Sequence, residues 1–469
     1  MSNTVYDFGM IGLGTMGRNL LLNMADHNFP VIGFDKDSTK GTALESTAAA
    51  GTTVKAVNTL AEMVGQLKKP RKMMMLVPAG AVIDSVIENL LPLVEQGDII
   101  IDGGNSHFTD TQRRIEYLQA KGIHFMGIGV SGGEQGARTG PSIMPGGDVE
   151  AWKAVKPLLE AVSAKVNDEP CVAYMGKGAA GHYVKMVHNG IEYAIMQLIS
   201  EVYDLLKHHA GLTNDELHNV FKNWNEGELQ SFLVEITAEI FLKEDEITKS
   251  RLVDVIHDKA GSKGTGKWTS QDAMNLPVSI PTIDAAVAMR TISGYKDERV
   301  AAAALYKPTI KTISEGKEKI IQIAHDALYC ATIISYAQGL SMLHQASSEL
   351  QMDIPLKDVV RIWRGGCIIR STLLETFTAA YKRDKTLPSI LLNKKVAAIV
   401  KKKQGNLRKF VQKATAVKIP ATAMSTALGY FDAYCSERMP TNLVQAQRDF
   451  FGAHTYQRID KEGTFHTEW

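Results

Sequence analysis

The sequence predicts an α/β domain with a largely parallel sheet, followed by a larger all-α domain and a C-terminal tail. Two observations predict it. Short apolar runs ending in glycine-rich turns alternate with helical patterns to about Gly176, the rhythm of a sheet covered on both faces. Beyond that point nearly everything to Tyr434 reads as helix, and a several-helix pattern occurs twice. The expected divisions are 1–177, 178–434 and 435–469.

Composition narrows the function classes. A chain of 469 residues, 45% hydrophobic and 22% charged, is ordinary for a soluble globular protein of two or three domains. Net charge is +1, from 52 basic and 51 acidic residues, which argues against bulk binding of nucleic acid or membrane surfaces. An anionic ligand must then be held by a local cluster. Cys171, Cys330, Cys367 and Cys435 are scattered and read as reduced thiols, neither a disulfide framework nor a metal site. The N-terminus enters a strand almost at once, leaving no room for a leader. No run of about 18 apolar residues predicts a membrane span. A cytoplasmic protein is expected.

The first strand, Val5 to Ile11, runs into Gly12-Leu13-Gly14-Thr15-Met16-Gly17 and then a helical pattern. Strand, G-x-G-x-x-G, helix is the dinucleotide fingerprint in its proper context. The glycines allow a tight turn, close approach of backbone to pyrophosphate, and packing of helix on strand. Phosphate then meets the free N–H groups of the helix start. A second strand, Pro30 to Phe34, closes on Asp35, the acid expected at the adenosine ribose of NAD, with Lys36 and Asp37 beside it. The first domain is therefore of Rossmann type.

Three more strands follow: Arg71 to Val77, ending at Pro78-Ala79-Gly80; Asp98 to Asp102, ending at Gly103-Gly104-Asn105-Ser106; and His124 to Val130, ending at Ser131-Gly132-Gly133. Helical segments, including Gly80 to Glu95 and Thr109 to Lys121, separate them. Ligands of such sheets bind beyond the carboxyl ends of the strands, where these turns fall. Val77, Pro78 and Ala79 are thus expected at the coenzyme.

The stretch Lys177 to Glu201, wound as a helix, brings Lys185, Asn189 and Glu192 to one face with His188 flanking them. Such a set is either a solvated stripe or a site. The apolar residues on the other sides favour burial, and a buried lysine loses its proton readily enough to serve as a base. HNGIEYAIMQLISEVYDLLKH from His188 parallels HDALYCATIISYAQGLSMLHQ from His325, and Trp224-x-x-Gly227 with Ser231 parallels Trp363-x-x-Gly366 with Ser371. This is an internal duplication whose second copy has Gln322 and Tyr329 in place of Lys185 and Glu192. From about Cys435 the helical pattern breaks. The remaining tail, with Phe450, Phe451, Tyr456, Phe465 and Trp469, is too aromatic to hang free in water.

Taken together, GLGTMGRNL, IIDGGNS, GVSGGEQGARTGPSIMPGG, GHYVKMVHNGIEYAIMQL, GSKGTGKWT and QAQRDFFGAHTY closely resemble decarboxylating 6-phosphogluconate dehydrogenases, over essentially the whole chain. The resemblance implies oxidation of 6-phosphogluconate at C3 by NAD or NADP without a metal, loss of carbon dioxide, and release of ribulose 5-phosphate. It implies that Lys185 is the base and Glu192 the acid. Ser131, Gly132 and Gly133 would hold the substrate carboxylate and hydroxyls beside His188 and Asn189, with Asn105 between nicotinamide and substrate. Tyr193, Lys263, Thr265 and Arg290 would hold the phosphate. A homodimer is implied, its tails threading into the opposite subunits so that Arg448 and His454 reach the partner's site.

Three departures stand out. Pro78 replaces a usual lysine, Asp35-Lys36-Asp37 replaces the Asn-Arg-Thr of NADP-using members, and the chain ends at Trp469, short of the extension of many animal members. The acids at 35 and 37 lead us to expect NAD to be favoured. Two rival readings share part of the pattern. A dehydrogenase for a smaller, unphosphorylated β-hydroxyacid would not need Lys263, Arg290, Arg448 and His454 together. A silent dinucleotide-binding regulator would show decay at Lys185 or Glu192.

Overall fold

A computed structural model describes residues 5–309 and 311–469. The first four residues, part of the stretch read as leaving no room for a leader, lie outside the described residues. The α/β part runs β1 (Phe8–Ile11), α1 (Thr15–Asp26), β2 (Val31–Phe34), α2 (Ser38–Thr47), β3 (Val54–Val57), α3 (Leu60–Gly65), β4 (Lys72–Met75), α4 (Ala81–Leu90), β5 (Ile99–Asp102) and α5 (Phe108–Gln119). It continues through β6 (His124–Ser131), α6 (Gly133–Thr139), β7 (Ser142–Gly147), α7 (Val149–Val162) and a hairpin of β8 (Lys165–Val166) and β9 (Glu169–Pro170).

Seven strands form one sheet in the order β3-β2-β1-β4-β5-β6-β7. The first six are parallel, and β7 runs antiparallel to β6. The strand order reverses between β1 and β4, so a crevice opens beyond their carboxyl ends. Sequence reasoning missed β3 and β7. The run SIMPGG of β7 carries a proline and two glycines, yet Pro145 pairs opposite Ile128. A proline is tolerated there because the outer side of β7 meets only the irregular segment 171–176. Ile143 and Gly147 donate to the Cys171 and Gly176 carbonyls, and Pro145 needs only to accept, from the Met175 N–H at 2.7 Å.

Helices make up the next region: α8 (Ala180–Asp204), α9 (Asn214–Asn225), α10 (Phe232–Leu242), α11 (Leu252–Val255), α12 (Thr265–Asn275), α13 (Pro281–Ser293) and α14 (Lys296–Tyr306). They continue with α15 (Lys317–Glu349), α16 (Leu356–Ile362), α17 (Leu373–Arg383), α18 (Lys394–Val417) and α19 (Thr422–Tyr434). By length and composition α15 could cross a bilayer, but 78% of its most apolar window is buried inside the protein. It is a core helix of the α-domain, packed along α8 and α18.

The helical part clamps onto the sheet through α8. A Cβ on Gly129 of β6 would lie 2.4 Å from the Lys185 Cβ, and one on Gly181 would lie 2.4 Å from the Met144 carbonyl oxygen. Only glycine permits helix and strands to approach this closely. That contact sets Lys185 at the carboxyl end of β6.

The duplication is visible as a reciprocal relation. Ser231 and Ser371 pair as an isolated antiparallel bridge, with Phe232 N–H donating to the Arg370 carbonyl and Thr372 N–H to that of Gln230, both at 3.1 Å. His188 of the first copy packs edge-on against Trp363 of the second at 5.6 Å, and His325 packs against Trp224 at the same distance. Each copy completes the other, as a two-fold relation requires.

The tail is not wholly irregular: α20 (Thr441–Gly452) is helical, begun after Pro440, which ends the preceding pattern and suits a helix start. Its own centre is the buried carboxylate of Asp449. This accepts hydrogen bonds from the Thr455 and Thr467 main chain, Trp469 Nε1 and the His466 ring. Burial opposes ionisation, but these donors prevail and hold its carboxyl down to about 2. Leu443, Phe450 and Phe451 remain 62%, 67% and 72% exposed.

Candidate active site

Two clefts lie near the carboxyl ends of the strands. The first, of about 570 Å³, is lined by Gly12, Gly14, Asp35, Lys36, Val77 and Pro78, and also by Lys40, Leu60, Val82, Val86 and Asn89. Gly12 has φ +95°, and a Cβ on Gly17 would stand 1.9 Å from the Gly12 carbonyl oxygen. The turn therefore depends on both glycines, and it leaves the start of α1 facing the cleft. These features fit a dinucleotide pyrophosphate. Leu13 buries its side chain and turns its N–H to Asp35 Oδ2 at 2.8 Å. Asp35 is thus anchored to the fingerprint turn. Lys40 sits 3.3 Å from it, a partner one helical turn into α2 that sequence reasoning missed.

Seven expected coenzyme residues, Leu13, Thr15, Met16, Gly17, Asp37, Ala79 and Asn105, do not line this cleft. Asp37 caps α2, accepting from the Thr39 main chain at 3.1 Å and its hydroxyl at 2.6 Å. That correction has a simple cause: an aspartate just before a helix satisfies its free N–H groups. Thr15 opens α1 and Ala79 lies in the loop before α4, neither contributing to the wall. Met16 lines the other cleft instead.

The second cleft, of about 630 Å³, gathers Asn105, Ser131, Gly132, Gly133, Lys185, Asn189, Glu192, Tyr193, Lys263, Thr265 and Arg290. Met16 lines it as well, and so do Val130, Gly261, Ser262 and Ile368, which were not among the expected site residues. Ile368 follows the second-copy Trp-x-x-Gly, so the duplication itself was the signal that could have found it. Lys185, Asn189 and Glu192 do share one face of α8, as their spacing predicts.

Electrostatics sorts these groups. Lys185 is 7% exposed, and burial lowers its ammonium below the usual lysine range, with Glu192 pulling the other way. Burial raises the Glu192 carboxyl, against the opposing charges of Lys185 and Arg290. His188, fully buried, is held well below the usual imidazole value by burial first and Lys185 second. It is neutral, so its 3.9 Å approach to Glu192 is not an ion pair.

Neutral His188 has one donor and one acceptor. Its Nδ1 lies 3.0 Å from Asn189 Oδ1, which only accepts, so Nδ1 carries the proton. Nε2 then accepts from the Ser131 hydroxyl at 3.3 Å. Asn189 Nδ2 in turn donates to Thr265 Oγ1 at 3.2 Å. One chain of hydrogen bonds therefore aligns the β6 turn, α8 and the start of α12.

A positive corner closes the cleft. Arg290 stacks its guanidinium 3.4 Å over the Tyr193 ring and donates to the Gly261 carbonyl at 3.2 Å. Among the described residues no carboxylate pairs with Arg290 or Lys263. The α12 N-terminus at Thr265 adds free N–H groups. This arrangement suits a phosphate. Arg448 and His454 do not line the cleft of their own chain; Arg448 donates to Gln445, and His454 packs against Phe451.

The second copy has lost such a site. His325 Nδ1 again meets the next side chain, Asp326, at 3.0 Å. Here, however, Lys403 fills the space, 2.6 Å from Glu228 and 2.7 Å from Asp326.

A dinucleotide crevice together with a buried lysine whose pKa is lowered and a glutamate whose pKa is raised defines a dinucleotide-dependent oxidoreductase. The chain belongs to the 6-phosphogluconate dehydrogenase family. Residues 7–189 match the NAD binding domain of 6-phosphogluconate dehydrogenase, and 181–469 match its C-terminal domain. The chain is 51% identical over 462 residues to the NADP(+)-dependent, decarboxylating 6-phosphogluconate dehydrogenase of Bacillus subtilis, covering 98% of both chains. It is 48% identical over 453 residues to decarboxylating enzyme 1 of Saccharomyces cerevisiae, covering 96% of this chain and 92% of that one. The solved 6-phosphogluconate dehydrogenase of Plasmodium falciparum, studied with NADP+ and with 6-phosphogluconate, superposes with a TM-score of 0.96 at 44% identity. That match covers 99% of this chain and 100% of the other.

Proposed function

We propose that the chain oxidatively decarboxylates 6-phosphogluconate to ribulose 5-phosphate and carbon dioxide while reducing a nicotinamide coenzyme. The observation that carries this reading is the union, in one cleft, of Lys185 and Glu192 with an unpaired cationic corner. A smaller unphosphorylated acid would leave Lys263 and Arg290 without a ligand.

Each residue's part follows from the direction in which burial moves its acidity. Neutral Lys185 takes the proton of the C3 hydroxyl. When bound, the coenzyme accepts the hydride released from C3. The Lys185 ammonium then gives its proton to the C3 oxygen while the C1–C2 bond breaks, its electron pair forming the C2–C3 double bond of an enediol as carbon dioxide leaves. Glu192, which holds a proton, delivers it to the former C2, and the hydroxyl on C3 returns its proton to Lys185, leaving the ketone. Transfer of a proton from Lys185 to Glu192 through solvent restores the starting state. Ser131, Gly132 and Gly133 hold the carboxylate and hydroxyls, His188 and Asn189 align them, and Asn105 stands between substrate and nicotinamide. Tyr193, Lys263, Thr265 and Arg290 take the phosphate.

The enzyme works as a homodimer in the cytoplasm, with Arg448 and His454 completing the partner's phosphate corner. The exposure of Leu443, Phe450 and Phe451 supports this, since such a surface favours burial against a second copy. NAD is the favoured coenzyme. The anchoring of Asp35 by Leu13 supports that reading, because it fixes an acid just beyond the end of β2, where such an acid would accept from the ribose 2′-hydroxyl of NAD. Lys40 and Lys36 offset part of its repulsion of a 2′-phosphate. A steady-state assay of 6-phosphogluconate and gluconate with each coenzyme, read as coenzyme reduction and carbon dioxide release, tests the function. Equal rates on the two acids would remove the phosphate from the reading.

A further inference from the structure

Behind the Asn105 turn lies a buried polar network that the chemistry above does not use. Asp102 ends β5 and is fully buried. Its Oδ1 accepts from the Gly104 N–H at 3.0 Å and its Oδ2 from the Ser106 hydroxyl at 2.6 Å. Asn105 sits between these two residues, so one carboxylate sets its backbone. Arg114 of α5, its side chain only 1% exposed, reaches this carboxylate from behind.

The rest of Arg114 belongs to the coenzyme side. Nη2 donates to the Gly80 carbonyl at 2.9 Å, and Nε and Nη2 grip Asp84 of α4 at 2.8 and 3.0 Å. Gly80 ends the loop that carries Val77 and Pro78 into the coenzyme cleft. Its N-cap position, at φ +90°, sets the start of α4. The two turns also touch directly: a Cβ on Gly104 would lie 3.5 Å from the Val77 carbonyl oxygen. On the far side, His182 lies against the main chain of Asp102 and Gly104, one turn before Lys185 on α8, and takes the Thr111 hydroxyl at 2.7 Å.

Among the described residues the network leaves two buried nitrogens without a hydrogen-bond partner, His182 Nε2 and Arg114 Nη1. Arg114 Nη1 is buried without a hydrogen-bond partner and stands 3.6 Å from Asp102 Oδ2. A buried guanidinium donor left unmade carries a desolvation penalty, and an approach of less than about 1 Å would bring it within hydrogen-bond range. Every other polar atom of Arg114 and Asp102 is engaged. A shift that draws the Val77–Gly80 loop and the Asn105 turn together and closes this gap therefore adds a charge-assisted hydrogen bond to the ion pair that Arg114 and Asp102 already form.

We propose that the Arg114–Asp102 bridge couples the two clefts, so that coenzyme in the first sets Asn105 and raises affinity for 6-phosphogluconate in the second. Arg114 and Asp102 are positioning residues; neither lines the clefts. The proposal rests on the function given above. It predicts reciprocity: substrate tightens coenzyme by the same factor that coenzyme tightens substrate.

Calorimetric titration of the full-length enzyme with 6-phosphogluconate, alone and with saturating NADH or NADPH, measures the coupling. Reduced coenzyme and this substrate form a complex that cannot turn over. In the wild type the substrate Kd is expected to fall about fivefold or more when reduced coenzyme is present. In Arg114→Lys, and in the isosteric Asp102→Asn, the factor should collapse to within about twofold of one. Coenzyme Kd measured alone should move less than about threefold in both. A merely structural role would lower the unfolding midpoint and both separate affinities yet leave the factor intact, and that result overturns the proposal. So does a wild type that binds both ligands independently. A wild type that fails to bind 6-phosphogluconate at all sinks the assigned function, and the coupling with it. Should Arg114→Lys not fold, Asp102→Asn decides.

Discussion

Lys185 and Glu192 line one cleft from the same helix, seven residues apart, and burial moves their acidities in opposite directions. The lysine tends to lose its proton and the glutamate to keep one. Such a pair supplies both a base and an acid near neutral pH. Lys185→Met should therefore abolish oxidation, by about 10²–10⁴-fold or more, while coenzyme Kd stays near that of the wild type. Activity within threefold of wild type would falsify the role given to Lys185.

The coupling of the two groups has its own signature. Ionised Glu192 pulls the Lys185 pKa up, against burial. It so favours an ion-paired state that competes with the neutral lysine and protonated glutamate the reaction uses. In Glu192→Gln that pull is gone, the lysine is neutral at still lower pH, and the rising limb of oxidation should move to the acid side. Single-turnover coenzyme reduction followed across pH measures this even if protonation of the enediol is slowed. A limb that stays in place or moves to higher pH contradicts the pairing.

Stability carries a separate pH dependence. Glu201, buried near the end of α8, accepts from the N–H groups of Ala423 and Met424 at the start of α19, at 2.8 and 2.9 Å. Burial pushes its carboxyl up to about 7, the hydrogen bonds only partly opposing this. An unfolded glutamate titrates near 4.3. The folded state thus binds the proton more tightly. The stability gained is fully present below about 4.3 and is lost as pH rises through 7. Glu201→Gln cannot ionise, so the urea midpoint of the wild type relative to this variant should fall between pH 5 and 8. A constant difference would mean that Glu201 titrates alike in both states.

Sharing of sites between subunits can be read by complementation. Arg448 and Lys185 of one chain serve different sites in the proposed dimer, so a mixed dimer of Lys185→Met and Arg448→Ala holds one site with both native residues. Mixing the two inactive variants should restore some activity, up to about one site per mixed dimer. If subunit exchange is demonstrated and no activity returns, the tail does not complete the partner's site.

Coenzyme choice turns on a few charges. A like-charge contact at about 4 Å amounts to roughly 4 kcal/mol at an effective dielectric near 20, which sets NADP against Asp35. Lys40, 3.3 Å from that carboxylate, cancels much of it, and Asp37 is occupied in capping α2. The expected preference for NAD in kcat/KM is therefore modest, about fivefold. Asp35→Asn, Lys36→Arg and Asp37→Thr together should reverse it, and Lys40→Ala should sharpen it. An unmodified enzyme that favours NADP tenfold or more refutes the charge argument.

Local signals in the chain were sufficient for much of this. The fingerprint turn, the one-faced spacing of Lys185, Asn189 and Glu192, and the repeated Trp-x-x-Gly all rest on periodicity or backbone geometry that a few neighbouring residues dictate. So do the strand ends that place Asn105 and Ser131. Other features depend on groups far apart in sequence. That β7 is a strand follows from its pairing with β6 at a sheet edge, where Pro145 is tolerated. The anchoring of Asp35 by Leu13, its neutralisation by Lys40, and the diversion of Asp37 to a helix cap depend on where side chains turn after folding. The state of Lys185 is the clearest case. Its residue type and spacing mark a candidate, but its low proton affinity comes from desolvation between β6 and the helical layer. Tertiary packing alone removes the water.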